Sequence, residues 1–438
     1  MTVISIIGPK GGIGKTTLSI NTAAALTHSL GKSLTHDSVC LFDLDLRLPT
    51  ISSILESHPR KTFYDLFETL ANKTYQVDFL QSIYRILTIF KAYLDKEIKG
   101  NHPQLEKGLT LYKTLNIELF HYSDFPFGNH LHELFLERSH IYSVDHIRTL
   151  TSLLKKIDMG QLKQVLKKYE ANSKPMADEY INYIEEFKFS LLGGEVPILG
   201  KKSHRKRINE PEFLLLFLEF INELTERFHY VVLDTPAGGV NHLSSLMNSI
   251  DQVIFVFDMS NNIAVNGSID ALHSFIDYYE DFYRDYQKGS LSGLDKAYVN
   301  RMVASKGEAA VAEILANKKF GIIFNRCQQS KEIANGLDQL REYLDTLDRF
   351  EDYKDRIHTV GMVPHHKIIN ITNNRGTLFY DKDSGLSNCI NLVAENIISE
   401  NKFCPTISDS NNEIIQFLKK NGKGSMLSNF KRIASSLG

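Results

Sequence analysis

Tryptophan is missing from this 438-residue chain, and no apolar run approaches the length that crosses a bilayer as a helix. The second absence excludes a helical membrane-spanning protein. Cysteine is scarce: Cys40, Cys327, Cys389 and Cys404 stand far apart, with no Cys-x-x-Cys and no zinc-like spacing. A disulfide scaffold and a thiolate metal site are thereby excluded. Charge is also balanced, at a formal net of -2. No global field then draws nucleic acid or an anionic surface to the chain, and any such binding must come from a local patch. An export signal is not evident before the first strand, so the expected compartment is the reducing cytoplasm.

What is present is an ordinary globular composition, 42% hydrophobic and 23% charged, in a chain longer than one hydrophobic core usually serves. A main domain with insertions is expected. The informative stretch comes first. The apolar, β-branched run Ile4-Ser5-Ile6-Ile7 ends in Gly8-Pro9-Lys10-Gly11-Gly12-Ile13-Gly14-Lys15-Thr16-Thr17, and a helical pattern follows. Strand, glycine-rich turn and helix in that order make a phosphate-binding loop. Gly11, Gly12 and Gly14 carry no Cβ, so successive backbone N–H groups around Ile13 can close on an anion. The opening helix adds its positive dipole end. Lys15 can reach the outer phosphates of a nucleoside triphosphate, Thr16 is placed to ligate Mg²⁺, and Thr17 completes the turn. The strict Walker A pattern asks for glycine where Pro9 stands; instead a second lysine, Lys10, precedes the glycines.

Leu18 to Leu30 reads as a helix, and Val39-Cys40-Leu41-Phe42 as a strand running into Asp43-Leu44-Asp45-Leu46-Arg47. Ligands of open parallel sheets sit beyond the carboxyl ends of strands, so this acid pair should face the phosphates. Asp43 and Asp45 share one side of an extended chain. Two tasks suit them, orienting metal-bound water and positioning an attacking water; a solvated acidic turn is the plain alternative.

Residues 56 to about 212 change character. Phe63 to Ala71, Phe79 to Lys99, Val144 to Ile157, Gly160 to Tyr169 and Asp178 to Leu192 carry helical spacing, with Asn116 to Phe120 a candidate sheet strand. The basic run Lys201-Lys202-Ser203-His204-Arg205-Lys206-Arg207 lacks interleaved aromatics, so a solvated loop and a patch for nucleic acid or an acidic partner both remain open. Pro211 to Arg227 is an apolar helix. After it, Val231-Val232-Leu233-Asp234-Thr235-Pro236-Ala237-Gly238-Gly239 has the form of a Walker B strand, whose Asp234 would hold Mg²⁺ through water. Val253 to Phe257, Phe320 to Arg326 and Thr359 to Pro364 are further strands, and Leu386 to Ile398 a closing helix. Asn325 stands where a side-chain amide could read an adenine edge or simply make a turn. Arg326 and Pro364 share these strand ends and join the nucleotide-facing set.

Thr406 to Asn412 resembles a linker, and Glu413 to Lys420 a short helix. Beyond Gly422 to Ser425, Met426, Leu427, Phe430, Ile433, Ala434 and Leu437 form one apolar stripe with Lys431 and Arg432 opposite. Such a helix suits an anionic membrane surface, its own domain, or a partner protein.

Lys-Gly-Gly-Ile-Gly-Lys-Thr-Thr at 10–17, Asp-Leu-Asp at 43–45, Val-Val-Leu-Asp-Thr-Pro-Ala-Gly at 231–238, Val-Gly-Met-Val-Pro at 360–364 and the terminal helix together resemble the ParA/MinD group of deviant-Walker ATPases. The resemblance covers residues 1–60, 212–270 and 318–400 and the tail. It implies an α/β fold, a doubly wound, mostly parallel sheet, with 1–60 and 212–400 forming the ATPase domain. Residues 61–211 are then a mostly helical insertion (116–121 a candidate core strand), 275–316 a smaller one, 401–425 a linker and 426–438 the terminal helix. It further implies ATP and Mg²⁺ as cofactors and slow, partner-stimulated hydrolysis. In the implied ATP-sandwich homodimer Lys10 reaches the other subunit's nucleotide. Lys15 and Thr16 would bind phosphate and metal, Asp43 would support the metal, Asp45 position the water, Asp234 serve as the Walker B acid and Asn325 read adenine. The implied role is a cytoplasmic switch that positions a partner assembly, peripherally at the inner membrane face through 426–437. A DNA-binding partition or phage-defence component is the contrasting class. Asp43-x-Asp45-x-Arg47 also resembles the second Walker motif of bacterial tyrosine kinases, but the first loop differs and no tyrosine follows Tyr380. Related iron–sulfur and metal-pump ATPases need paired cysteines, absent here.

Overall fold

In the computed structural model the described residues are 2–31, 38–45, 50–57, 61–95, 97, 102–114, 128–136, 144–172, 180–193, 217, 220–221, 223–236, 250–346, 353–373, 375 and 377–420. Two compact units divide the chain, Met1–Leu66 with Met176–Gly438, and Phe67–Pro175.

The first unit is built on one sheet of eight strands: β1 (Thr2–Ile7), β2 (Val39–Asp43), β3 (Asn182–Ile184), β4 (Phe189–Leu192), β5 (Tyr230–Asp234), β6 (Gln252–Asp258), β7 (Phe320–Cys327) and β8 (Ile357–Pro364). Their order is β3-β4-β2-β5-β1-β6-β7-β8. Every neighbouring pair is parallel except β3 with β4. The strands are near-continuous apolar runs because both faces are covered, as parallel sheets require. On one face Ile4, Ile6, Leu41, Val232, Ile254 and Val360 pack with Leu18 and Leu26 of α1 (Lys15–Leu30) and with residues of the closing helix Ser384–Ile398. On the other, Phe42 meets Phe63, Phe217 and Phe220, while Phe275 and Tyr279 pack on Phe255 and Phe320. The fold is therefore the doubly wound α/β sheet expected.

The remaining helices are α2 (Ile51–Ile54), α3 (Phe63–Leu94), α4 (Pro103–Thr114), α5 (Gly128–Leu136), α6 (Thr151–Lys156), α7 (Met159–Asn172), α8 (Asn262–Lys288), α9 (Gly293–Lys306), α10 (Glu308–Ala316), α11 (Ser330–Asp345), α12 (Lys367–Asn373), α13 (Ser384–Ile398) and α14 (Asn411–Lys420). Among the described residues none is long and apolar enough to cross a membrane. The second unit has its own core, in which Ile83, Leu87 and Phe90 of α3 meet Leu105 and Tyr112 of α4, Leu131 and Leu134 of α5, and Leu154 and Leu162. Lys91 donates to the Ile157 carbonyl at 2.9 Å inside this unit.

Three expectations differ from what is observed. Asp178 to Leu192 has helical spacing, yet residues 182–192 fold as the β3–β4 hairpin, turning through Lys188 at φ 55. The open edge of β2 decides this: Cys40, Leu41 and Phe42 pair in parallel with Ser190, Leu191 and Leu192, and ladder formation overrides a spacing that fits either element. The two helices expected over 63–99 are one continuous helix, α3. Residues 406–412, read as a linker, are held against the sheet. Thr359 donates to the Pro405 carbonyl and Ile407 to the Ile357 carbonyl, and Arg341 donates to the Ile407 and Asp409 carbonyls, both at 2.6 Å. Buried Ile414 and Leu418 dock α14 behind them. The strand expected over 116–120, the basic run 201–207, Gly238 and Gly239, and the helix 426–437 lie outside the described residues.

Candidate functional site

Beyond the carboxyl ends of β1, β2, β5, β6, β7 and β8 lies a cavity of about 600 Å³, lined in part by Gly11, Gly12, Gly14, Lys15, Thr16 and Thr17. The loop's path depends on its glycines. Gly14 has φ 92, and a Cβ there would come within 2.5 Å of Asn325 Nδ2; a Cβ on Gly8 would fall 2.0 Å from Ile13 Cδ1. At Gly14 the left-handed backbone disfavours any other residue, and a Cβ at either position would push the Asn325 or Ile13 side chain aside.

Lys15 is only 6% exposed, and its Nζ donates to the Lys10 carbonyl at 3.0 Å. Burial lowers its pKa below the ordinary lysine value, while Asp234 and Asp45 pull the other way. Lys10 itself is exposed at the lip of the loop. The two lysines of the motif thus meet different surroundings, one inside its own site and one outside.

Thr16, in the first turn of α1, is joined to Asp234 at the end of β5. The Thr16 hydroxyl donates to Asp234 Oδ2 and the Ser19 hydroxyl to Oδ1, each at 2.8 Å. Asp43 is the register partner of Asp234 on β2. Burial raises the pKa of Asp234 to about 6 against the help of those hydroxyls and Lys15. Asp43 is raised well above the usual carboxylate range, first by burial and then by Asp234. Both Asp43 oxygens accept backbone N–H groups, from Asp45 at 3.0 Å and Ile51 at 3.3 Å. That carboxylate therefore ties down the turn that carries Asp45 to the cavity wall. Hydroxyl and carboxylate oxygens are hard donors, and the corner holds more negative charge than Lys15 offsets, so the donor set fits Mg²⁺. Among the described residues no group of three or more His, Cys, Asp and Glu side chains could hold an ion by itself. An ion here would take its other ligands from phosphate and water.

Asn325, near the carboxyl end of β7, faces the loop, where its Nδ2 donates to the Ile13 carbonyl at 2.6 Å. Its first partner is the loop rather than a base. Arg326 adopts φ 60 and donates to the Gly12 carbonyl and, at 3.3 Å, to Asp258 Oδ2. Pro364 is buried at the end of β8, between cavity-lining Val363 and His365. Sequence reasoning missed Ser260, His365, His366, Asn370, Asn373 and Phe379, all of which line the cavity. Ser260 and the two histidines follow directly on strand ends, and the rule that ligands sit there would have found them. Helix α12, which carries Asn370 and Asn373, gave no such signal; Asn373 donates to the Thr17 hydroxyl at 2.9 Å.

The sequence profile of the CobQ/CobB/MinD/ParA nucleotide binding domain matches residues 4–379. The chain belongs to this family. Among curated proteins, the antiactivator FleN of Pseudomonas aeruginosa is 41% identical over 66 residues, 15% of this chain and 21% of FleN. The match thus spans about a fifth of that relative's length. Two solved structures align along most of the chain. The cell division ATPase MinD of Pyrococcus furiosus is 14% identical, covers 91% of this chain and 99% of its own, and has a TM-score of 0.43. A ParA family ATPase from Chlorobium tepidum is 12% identical, with coverages of 90% and 98% and a TM-score of 0.44. The chain therefore carries a nucleotide binding domain of the CobQ/CobB/MinD/ParA family.

Proposed function

We propose that this ParA/MinD-type protein is an ATP hydrolase that works as a dimerisation switch, positioning or regulating a partner assembly. The observation that carries the proposal is the division between its two loop lysines, Lys15 buried in its own site and Lys10 exposed at the rim. A cation on the rim is free to complete the site of a second copy, which would make ATP binding and association one linked equilibrium.

Within one site the assignments follow the geometry. Backbone N–H groups of Gly11 to Thr17 cradle the phosphates, Lys15 meets the outer ones, and Asn325, Arg326 and Pro364 border the side left for the base. Asp45, fixed by the bond from its own N–H to Asp43, orients the attacking water. Thr16 and Asp234 would hold Mg²⁺ with Asp43 behind them, and a bound ion would supply positive charge toward the transferred phosphoryl group. Ordered attack then depends on groups from two copies, the Asp45 carboxylate of one and Lys10 of its neighbour. Slow hydrolysis that a protein partner accelerates is the behaviour such an incomplete site supports.

The compartment assigned is the cytoplasm, with peripheral attachment to the inner membrane face through the apolar stripe 426–437. Equilibrium binding and analytical ultracentrifugation test the switch. Lys15→Ala should abolish ATP binding. Lys10→Ala should keep binding but stay monomeric with ATP, and a full ATP-dependent dimer in that variant would remove the sandwich.

A further inference from the structure

Two successive side chains at the end of β7 are committed to two successive carbonyls of the glycine loop. Asn325 Nδ2 donates to Ile13 and the Arg326 guanidinium to Gly12. In a trans peptide the carbonyl and the next N–H point in opposite directions. Holding these carbonyls toward β7 therefore turns the N–H groups of Ile13 and Gly14 to the other side of the loop. Gly12 and Gly14, at φ 78 and 92, allow the backbone to alternate as an anion-binding nest needs.

Arg326 occupies its place under constraint. At φ 60 it lies in the left-handed region, which a non-glycine residue keeps only when its surroundings impose it. The β7–β8 ladder slips between Asn325 and Cys327, which makes Arg326 the extra residue of a β-bulge, and its guanidinium meets Asp258, at the end of β6 and in register with Asn325. The Asp258 carboxylate is 3% exposed and lies 3.3 Å from Arg326 Nη1. Its other oxygen accepts the Ser260 N–H at 3.1 Å. The guanidinium is thus stretched between a buried, immobile carboxylate and the loop.

We propose that Arg326, anchored by Asp258, is a positioning residue that presets the N–H groups of the glycine loop for the phosphate chain, acting through the loop backbone rather than on the base. The proposal rests on the nucleotide-binding role of the cavity. Because the effect passes through the loop, it should fall on every ligand that carries the phosphate chain, whatever base is attached. A guanidinium acting instead as a simple charge beside the anion would respond oppositely to its neighbour. Removing the negative charge of Asp258 would then strengthen anion binding, whereas a loosened anchor weakens it.

The test is displacement of a fluorescent ADP by ADP and by tripolyphosphate, for the full-length wild type, Arg326→Gly, Arg326→Lys, Asp258→Asn and the double variant Asp258→Asn/Arg326→Gly. Glycine suits the left-handed backbone and offsets part of the cost of leaving Asp258 without its cation, so Arg326→Gly should stay folded at the assay temperature. Its affinity for both ligands should nevertheless fall about tenfold, the size of one lost charged hydrogen bond. Arg326→Lys should recover part of that loss. Asp258→Asn should weaken both ligands, and the double variant should be no weaker than Arg326→Gly alone, since the two residues act as one unit. Unchanged affinities, a gain in Asp258→Asn, or loss of ADP with tripolyphosphate retained would overturn the proposal. A wild type that binds neither ligand would instead overturn the nucleotide assignment, and this role with it.

Discussion

At the scale of single residues, the most consequential feature is a pair of carboxylates placed side by side in the interior. Asp234 and Asp43 face each other across β5 and β2 and are both nearly inaccessible. With Asp234 raised from the ordinary carboxylate range to about 6 and Asp43 raised as well, the folded chain keeps protons that the unfolded chain releases. Between roughly pH 4 and 6 the native state binds more protons, so the pair's contribution to stability declines as pH rises through that window. The ligand-free protein should therefore lose stability from this source between about pH 4 and 6. Asp234→Asn should flatten that slope and raise the melting temperature at pH 7. Denaturation curves collected from about pH 4 to 7 on both proteins check this, and parallel pH profiles would remove the account. At this same scale both acids were legible in the sequence, since each closes an apolar strand. It could not reveal that Asp43 spends its oxygens on the backbone of its own turn, because Ile51 reaches it only after the chain has folded back.

At the scale of elements, the segment after α13 is where local pattern and outcome separate. Residues 405–411 are polar and look like a tether, yet Arg341 on α11 gathers the Ile407 and Asp409 carbonyls and Asn411 Oδ1 in one fan of donors. These are charge-assisted bonds to a partly buried guanidinium, and losing them leaves buried carbonyls without partners. Arg341→Ala should cost about 2 kcal/mol of stability and open 405–411 to limited proteolysis, measured by urea denaturation and by the rate of cleavage. A cleavage rate equal to that of the wild type would show that α14 holds the segment alone. The β3–β4 hairpin makes the same point. Its sequence satisfies two periodicities, and a free ladder on β2 chose between them.

At the scale of the whole molecule, the question is what a nucleotide-dependent association would bring about. One amphipathic helix with two net positive charges binds a bilayer weakly, and two copies held in a dimer bind much more firmly. Attachment should then require ATP, the intact 426–437 stripe and Lys10 together. Co-sedimentation with anionic vesicles should recover the full chain with ATP but little of it without, and little of a chain truncated before Ser425. If truncation makes no difference while DNA mobility shifts in a salt-dependent way, the basic run at 201–207 becomes the relevant surface.

The sequence by itself determined the sheet strands β1, β2, β5, β6, β7 and β8, the glycine loop and the acids at the strand ends. These follow from local causes: apolar runs long enough to be buried on both faces, and glycines without which the loop cannot turn. Only the tertiary structure decided the hairpin at the sheet edge, the strap over β8, the wall contributed by α12, and the bonds from Asn325 and Arg326 to the loop. Each of those depends on groups more than sixty residues apart along the chain or on an edge awaiting a partner, and no window of sequence contains both halves of such a contact.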